Sequence, residues 1–158
     1  MIRVIATFFL FISTQANAQN AAAEKEIKET LAAFFEGLHQ GDSTLLKTTI
    51  YQDIKIQTTF ANKEGKAVLR TESKEGLLKS IASKKPTDVY LEKLLSYTIK
   101  IDGNLASVWT PYEFYLNGTF SHCGANSFQL FKKNGIWKII YLVDMRRRQN
   151  CKAFKNKK

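Results

Sequence analysis

Residues 105–146 read LASVWTPYEFYLNGTFSHCGANSFQLFKKNGIWKIIYLVDMR. Two Asn-Gly pairs, Asn117-Gly118 and Asn134-Gly135, separate runs rich in Val, Trp, Tyr, Phe and Ile. Both residues of such a pair accept the positive φ of a tight type I′ turn, so the stretch predicts three antiparallel strands in a meander. Asp102-Gly103 adds a fourth strand upstream.

The chain before the meander predicts helices and one hairpin. In residues 21–39, Ile27, Leu31, Phe34, Phe35 and Leu38 form one apolar stripe at helical spacing, with Glu24, Glu26 and Glu29 toward the positive end of the helix dipole. Gly41 stops this helix, and Asp42 caps a short second one carrying Leu45, Leu46 and Ile50. Ile54, Ile56, Thr58 and Phe60 alternate as a strand does. Residues 62–65 turn, and residues 66–71 can pair back. Ser73 caps a third helix with Leu77, Leu78 and Ile81 inward, and Pro86 ends it. Helices laid on one face of a curved antiparallel sheet make an α+β domain.

The chain has 158 residues, enough for one domain with a real core. Its start reads as a secretory signal peptide. Arg3 supplies the positive end, Val4 to Ile12 the apolar stretch, and Ala16-Asn17-Ala18 a small-x-small cleavage site. This divides the chain into a leader (1–18), a domain (19–151) and a basic tail (152–158), and places the protein in the periplasm or outside the cell, cut after Ala18. The apolar stretch is too short to span a bilayer, so no stable membrane insertion is expected.

The formal charge is +10, and residues 146–158 hold seven Lys or Arg and no acid. Such a tail attracts acidic partners or simply keeps the chain soluble. It carries no stacking aromatic motif or recognition helix, and export argues against nucleic acid as a partner. The only cysteines are Cys123 and Cys151. In an exported chain an even count invites a disulfide, with two free thiols as the alternative. His39 and His122 lie too far apart in sequence to suggest a metal site, and no cofactor motif is present.

The order of elements resembles the nuclear-transport-factor-2-like, or SnoaL-like, cone-shaped fold. Four stretches carry a closer similarity: Gly65-Lys66-Ala67-Val68-Leu69-Arg70-Thr71-Glu72-Ser73, residues 105–115, Phe120-Ser121-His122-Cys123-Gly124, and Trp137-Lys138-Ile139. They are similar to exported bacterial proteins often labelled nuclear transport factor 2 family or lumazine-binding. The resemblance covers residues 23–151. It implies a curved antiparallel sheet with the N-terminal helices on its concave face, and a fold shared by isomerases, hydrolases, cyclases and binders. The catalytic Tyr/Asp and Asp/Arg/Asp sets of the superfamily's better-understood enzymes cannot be placed residue by residue on this sequence, so none is carried over.

Two-residue loops at both Asn-Gly pairs fix a register. Glu113 then faces His122, Trp109 faces Asn126, and Asn126 faces Val143. One sheet face collects Trp109, Glu113, Tyr115, Phe120, His122, Asn126, Phe128, Leu130, Trp137, Ile139, Tyr141 and Val143. The other collects Ser121, Cys123, Ser127, Gln129, Lys138, Asp144 and Arg146, with some apolar residues. The first face is the more apolar and is expected to meet the helices. Pro111 cannot donate to a ladder and needs an unpaired position or a bulge. A bulge between Trp109 and Pro111 would bring the upstream apolar residues to the helix side, keep Glu113 and His122 inside and move Trp109 off that face.

A mostly apolar face with a few convergent polar groups is the usual profile of a small-molecule site. The candidate ligand-binding residues are Phe35, Trp109, Glu113, His122, Asn126 and Tyr141, and the ligand class is a small hydrophobic or aromatic molecule. Glu113 and His122 are the candidate catalytic pair, a general base and its orienting partner. They equally suit ligand orientation without chemistry, or a plain cross-strand ion pair. His39, at a helix end, reads as a surface or capping residue. A third reading is a homodimer through the outer face, using Tyr112, Phe114, Ile140 and Leu142. In this register Cys123 lies away from the pocket opposite Arg146. A turn through residues 147–150 brings Cys151 to it, and His122 points the other way, which disfavours a Cys–His catalytic pair.

Overall fold

The structure, a computed structural model, describes residues 3–151, with side chains for residues 19–151. The expected leader and the tail 152–158 therefore fall outside the described side chains. Helix α1 runs Arg3–Gln40. Its stripe is buried as the spacing demands, with Ile27, Leu31, Phe34 and Phe35 almost without exposure. Helix α2 (Ser43–Thr49) is capped by Asp42, whose Oδ1 accepts from the backbone N–H groups of Thr44 and Leu45. Helix α3 (Lys74–Ala82) is capped by Ser73, whose Oγ accepts from Gly76 N at 3.0 Å. Among the described residues no helix is long and apolar enough to cross a membrane.

Seven strands form one sheet: β1 (Ile50–Ala61), β2 (Ala67–Glu72), β3 (Tyr90–Leu94), β4 (Thr98–Asp102), β5 (Leu105–Leu116), β6 (Thr119–Lys133) and β7 (Ile136–Arg147). The order is β2-β1-β7-β6-β5-β3, and β4 also pairs with β5. All pairs are antiparallel except β1 with β7, which is parallel. Both Asn-Gly turns form as expected, with φ of 52° and 76° at Asn117-Gly118, and 52° and 81° at Asn134-Gly135.

Pro111 causes no bulge. Strand β5 changes neighbour at this point: β4 pairs with residues 105–109 and β3 with residues 112–116. The Pro111 carbonyl accepts from Leu95 N at 2.9 Å, so its ring nitrogen faces the gap between β3 and β4. The missing N–H is absent where no strand asks for it.

The bulges lie elsewhere. Tyr115 pairs with Phe120, but Phe114 pairs with His122, so Ser121 is an extra residue in β6. Gln129 pairs with Tyr141, but Leu130 pairs with Ile139, so Ile140 is an extra residue in β7. Each insertion inverts the faces on one side of it. The expected register is therefore corrected. Glu113 pairs with Cys123, Trp109 with Ser127, and Asn126 with Asp144.

The inner, helix-facing side carries Ala106, Val108, Thr110 and Tyr112 of β5 with Phe128, Leu130, Leu142 and Ile139, all buried. The two bulges bring Val108 and Tyr112 to the helix side, where both are buried, and leave Trp109 on the other face. The rings of Phe34, Phe35 and Phe128 meet edge-on at 5.3–6.0 Å.

Candidate functional site

The inner face changes character along its length. Under α1 it is apolar. At the end of the sheet near the Asn117 turn it carries a polar cluster, organised by Asp144 of β7. Asp144 is buried and saturated. Thr58 Oγ1 donates to Oδ1 at 2.7 Å, while Tyr112 OH at 3.2 Å and Arg146 Nε at 2.5 Å both donate to Oδ2. Thr58 arrives because β1 lies parallel to β7 and pairs Thr58 with Asp144. Tyr112 arrives by reaching over Gly124, the residue opposite it on β6. A Cβ at Gly124 would stand 2.9 Å from the Tyr112 hydroxyl and 1.7 Å from the Met145 carbonyl oxygen, so only glycine fits.

Beside this group, Asn126 Nδ2 donates to Glu92 Oε1 at 2.7 Å. Glu92 keeps partial solvent contact, yet protein surrounds it on nearly every side. Burial pushes its carboxyl up to about 7; the Asn126 hydrogen bond works against this and the Asp144 charge adds to it. Burial, and then the negative charge of Asp144, push the Tyr112 phenol far above its ordinary value, so it remains a donor. Burial works against the charge of Arg146, but Asp144 beside it more than compensates and raises its pKa.

His122 stacks on Phe114, with ring centroids 4.9 Å apart, and meets Tyr112 edge-on at 5.8 Å. Its Nδ1 lies 3.1 Å from Ser121 Oγ. Burial first, then the Arg146 charge, lower its pKa to about 4, so near neutrality the imidazole is uncharged. His39, in the last turn of α1, is half-buried, and its ring reaches strand β3. Its Nε2 accepts from Glu92 N at 2.8 Å, which ties the helix end to strand β3 and requires that nitrogen to be unprotonated.

The expected site residues divide between the two faces. Phe35, His122 and Asn126 are on the inner side, Phe35 buried against Phe128 and His39. Glu113 and Tyr141 are on the outer side, as is Trp109, which is 49% exposed. Glu113 is buried there and accepts from Tyr115 OH at 2.9 Å; Tyr141 OH donates to Gln57 at 2.6 Å. Glu113 and His122 thus face opposite ways and make no pair. The expected outer stripe is also revised. Tyr112, Phe114 and Leu142 turn inward, and Ile140 is the bulge residue.

The sequence reading missed Glu92, Tyr112, Asp144 and Arg146 as inner polar groups. Two signals pointed to the last three. An Asp and an Arg two residues apart, sharing one face, follow directly on the apolar run 139–143. An isolated glycine, Gly124, also sits mid-strand, where it marks close approach of another group.

The disulfide is formed. Cys123 and Cys151 lie with Cα atoms 5.8 Å apart, on the outer side, 28 residues apart in sequence.

No protein-family model and no curated protein matches the sequence. Solved structures do. An NTF2-like protein of unknown function from Shewanella baltica is 19% identical, with a TM-score of 0.60, covering 80% of this chain and 95% of its own. An NTF2-like protein with a cystatin-like fold from Novosphingobium aromaticivorans is 14% identical, with a TM-score of 0.65, covering 88% and 92%. The beta subunit of a protein assigned as an aromatic-ring-hydroxylating dioxygenase, from the same organism, is 14% identical, with a TM-score of 0.65, covering 80% and 90%. At these identities the likeness is one of fold. The chain has the α+β, NTF2-like architecture with a cystatin-like fold.

Proposed function

We propose that the protein is an exported small-molecule binder. Its ligand lies on the inner sheet face beyond the end of α1, with Phe35 at the apolar floor. The observation that carries this reading is the polar cluster of Glu92, Asn126, Tyr112, Asp144 and Arg146, set at one end of an otherwise apolar concave surface. Convergent polar groups at the end of an apolar surface orient a ligand. A thermal-shift screen of the purified chain against small metabolites tests it. The stabilisation by a hit should vanish in Tyr112→Phe and Asn126→Leu and persist in Trp109→Ala. Loss in Trp109→Ala alone would move the site to the outer face and end the proposal. Export through a leader cut after Ala18 belongs to the same reading. The disulfide supports it, since such bonds persist in oxidising compartments. A mature N-terminus other than Gln19 would count against that cut.

A second reading is acid–base catalysis in the same place, by Glu92 rather than by Glu113 with His122. A carboxyl held near 7 is matched to proton transfer near neutral pH. Glu92→Gln would then keep ligand affinity and lose turnover. A homodimer through the outer face is a separate proposal, supported by exposed Trp109 and Met145. A single monomer species in sedimentation across the working concentration range would remove it.

A further inference from the structure

Arg146 uses little of its hydrogen-bonding capacity within the chain. A guanidinium has five N–H donors. Nε donates to Asp144, and the two terminal nitrogens have no acceptor among the described residues. The side chain is 46% exposed, so these donors stand at the rim of the inner face. Asp144, held by Thr58 and Tyr112, fixes the direction of the fork.

An aromatic wall stands next to it. Gly124 lies opposite Arg146 on β6, and the Tyr112 side chain reaches across it to Asp144. Beyond Gly124 on the same face are His122 and Phe114, stacked with an interplanar angle of 27°. Tyr90 meets Phe114 at 5.7 Å, and Lys84 Nζ stands 5.4 Å above the Tyr90 ring, adding positive charge to the same rim. A planar guanidinium fork with free terminal donors matches a carboxylate in two parallel hydrogen bonds, and a half-exposed aromatic wall takes a flat ring.

Resting on the reading that a small molecule occupies this face, we infer that the site takes a small ring-bearing carboxylic acid. The carboxylate lies on the Arg146 terminal nitrogens, and the ring lies against Phe114, His122 and Tyr90. Such a ligand brings a negative charge toward Glu92, whose side chain is also faced by Asn126, Tyr112, Asp144 and Arg146, with His39 bonded to its backbone from α1. The incoming charge favours the protonated carboxyl. Binding therefore takes up a proton, and affinity falls as pH rises through neutrality.

Calorimetric titration of the disulfide-bonded full chain with benzoate and with its uncharged analogue benzamide tests this. Benzoate should bind at pH 6 at least about tenfold more tightly than benzamide, the ratio expected of one charge-assisted contact. It should weaken at pH 8.5. Glu92→Gln should flatten that pH dependence. Arg146→Gln should remove the preference for benzoate. Should Arg146→Gln not fold, Arg146→Lys, which keeps the charge and loses the fork, should still narrow the preference. Equal affinity for benzoate and benzamide would overturn the carboxylate assignment and leave the small-molecule reading standing. No binding of benzoate at millimolar concentration would overturn the assignment too, while the metabolite screen judges the broader reading separately.

Discussion

The two ends of the inner sheet face are built on different principles. Toward the Asn134 turn, α1 covers the sheet. Phe34, Phe35 and Phe128 interlock, and Glu26 Oε2 accepts from Lys132 Nζ and Trp137 Nε1 at 2.6 and 3.2 Å to fix the helix edge. Toward the Asn117 turn the helix has ended. The sheet there presents hydrogen-bonded polar groups, and its bracing comes from the other side through the Cys123–Cys151 bond. The covered end is held mainly by area and shape, with one ion pair at the helix edge. The open end is held by directed bonds and one covalent link, and it presents polar groups. One sheet thus separates the part that keeps the fold from the part where we propose a ligand.

The sharpest way to test this division is to damage each end once. Phe128→Ala should cost about 3–5 kcal/mol, because a fully buried ring is replaced by a cavity within a rigid frame. Urea unfolding should show the drop in midpoint, with little loss of ligand affinity in whatever protein remains folded. Asp144→Asn should cost less, about 1–3 kcal/mol from weakened bonds to Thr58, Tyr112 and Arg146, and should abolish ligand stabilisation. Equal effects of both variants on stability and on binding would break the comparison.

The disulfide comes next. Closing a loop of 28 residues restricts the unfolded chain by about 3.5 kcal/mol. The double variant Cys123→Ser with Cys151→Ser should lose about that much in urea. Amide exchange should rise first around residues 112–124 and 144–147, before the residues facing α1. Uniform loosening of the whole sheet would show that the bond braces no particular end.

The smallest effect is a pair of opposed pH slopes. The folded-state pKa of Glu92 is raised to about 7, so between about 4.5 and 7 the folded chain binds more protons than the unfolded, and this contribution to stability falls as pH rises. The folded-state pKa of His122 is lowered to about 4, so between about 4 and 6.5 the unfolded chain binds more protons, and this contribution rises with pH. The two oppose one another over the mildly acidic range. Glu92→Gln should leave a melting temperature that climbs more steeply from pH 4.5 to 6.5 than in the parent, and His122→Gln one that climbs less steeply or falls. Parallel curves for both variants and the parent would show that neither group is held as described.

The element order was legible because each signal is local. Asp42 and Ser73 cap helices through their own side chains, and the Asn-Gly pairs supply the positive φ that their turns need. The site was legible only in part, because its assignment depends on parity. Ser121 and Ile140 add one residue each to a strand, and neither residue type announces a bulge. A single insertion sends Glu113 to the back and brings Tyr112 to the front. Pro111 drew attention to the wrong place, since the gap between β3 and β4 is a tertiary feature that no local pattern records. His122 and Asn126 kept their expected side because both lie on the stretch of β6 between the two insertions, and Phe35 because its place on α1 does not depend on strand register. Glu92 could not be chosen beforehand, because its neighbours Asn126 and Asp144 arrive from strands far along the chain.

The disulfide also decides how the molecule answers to force. Strand β7 lies between β1 and β6 in the interior of the sheet, and the described chain ends four residues beyond it. Without a cross-link, tension on the C-terminal end would peel β7 away one hydrogen bond at a time. With Cys151 joined to Cys123, the load passes directly into β6, and residues 124–150 form a closed ring that carries none of it. The second hairpin, including Asp144 and Arg146, is mechanically shielded from anything that seizes the basic tail.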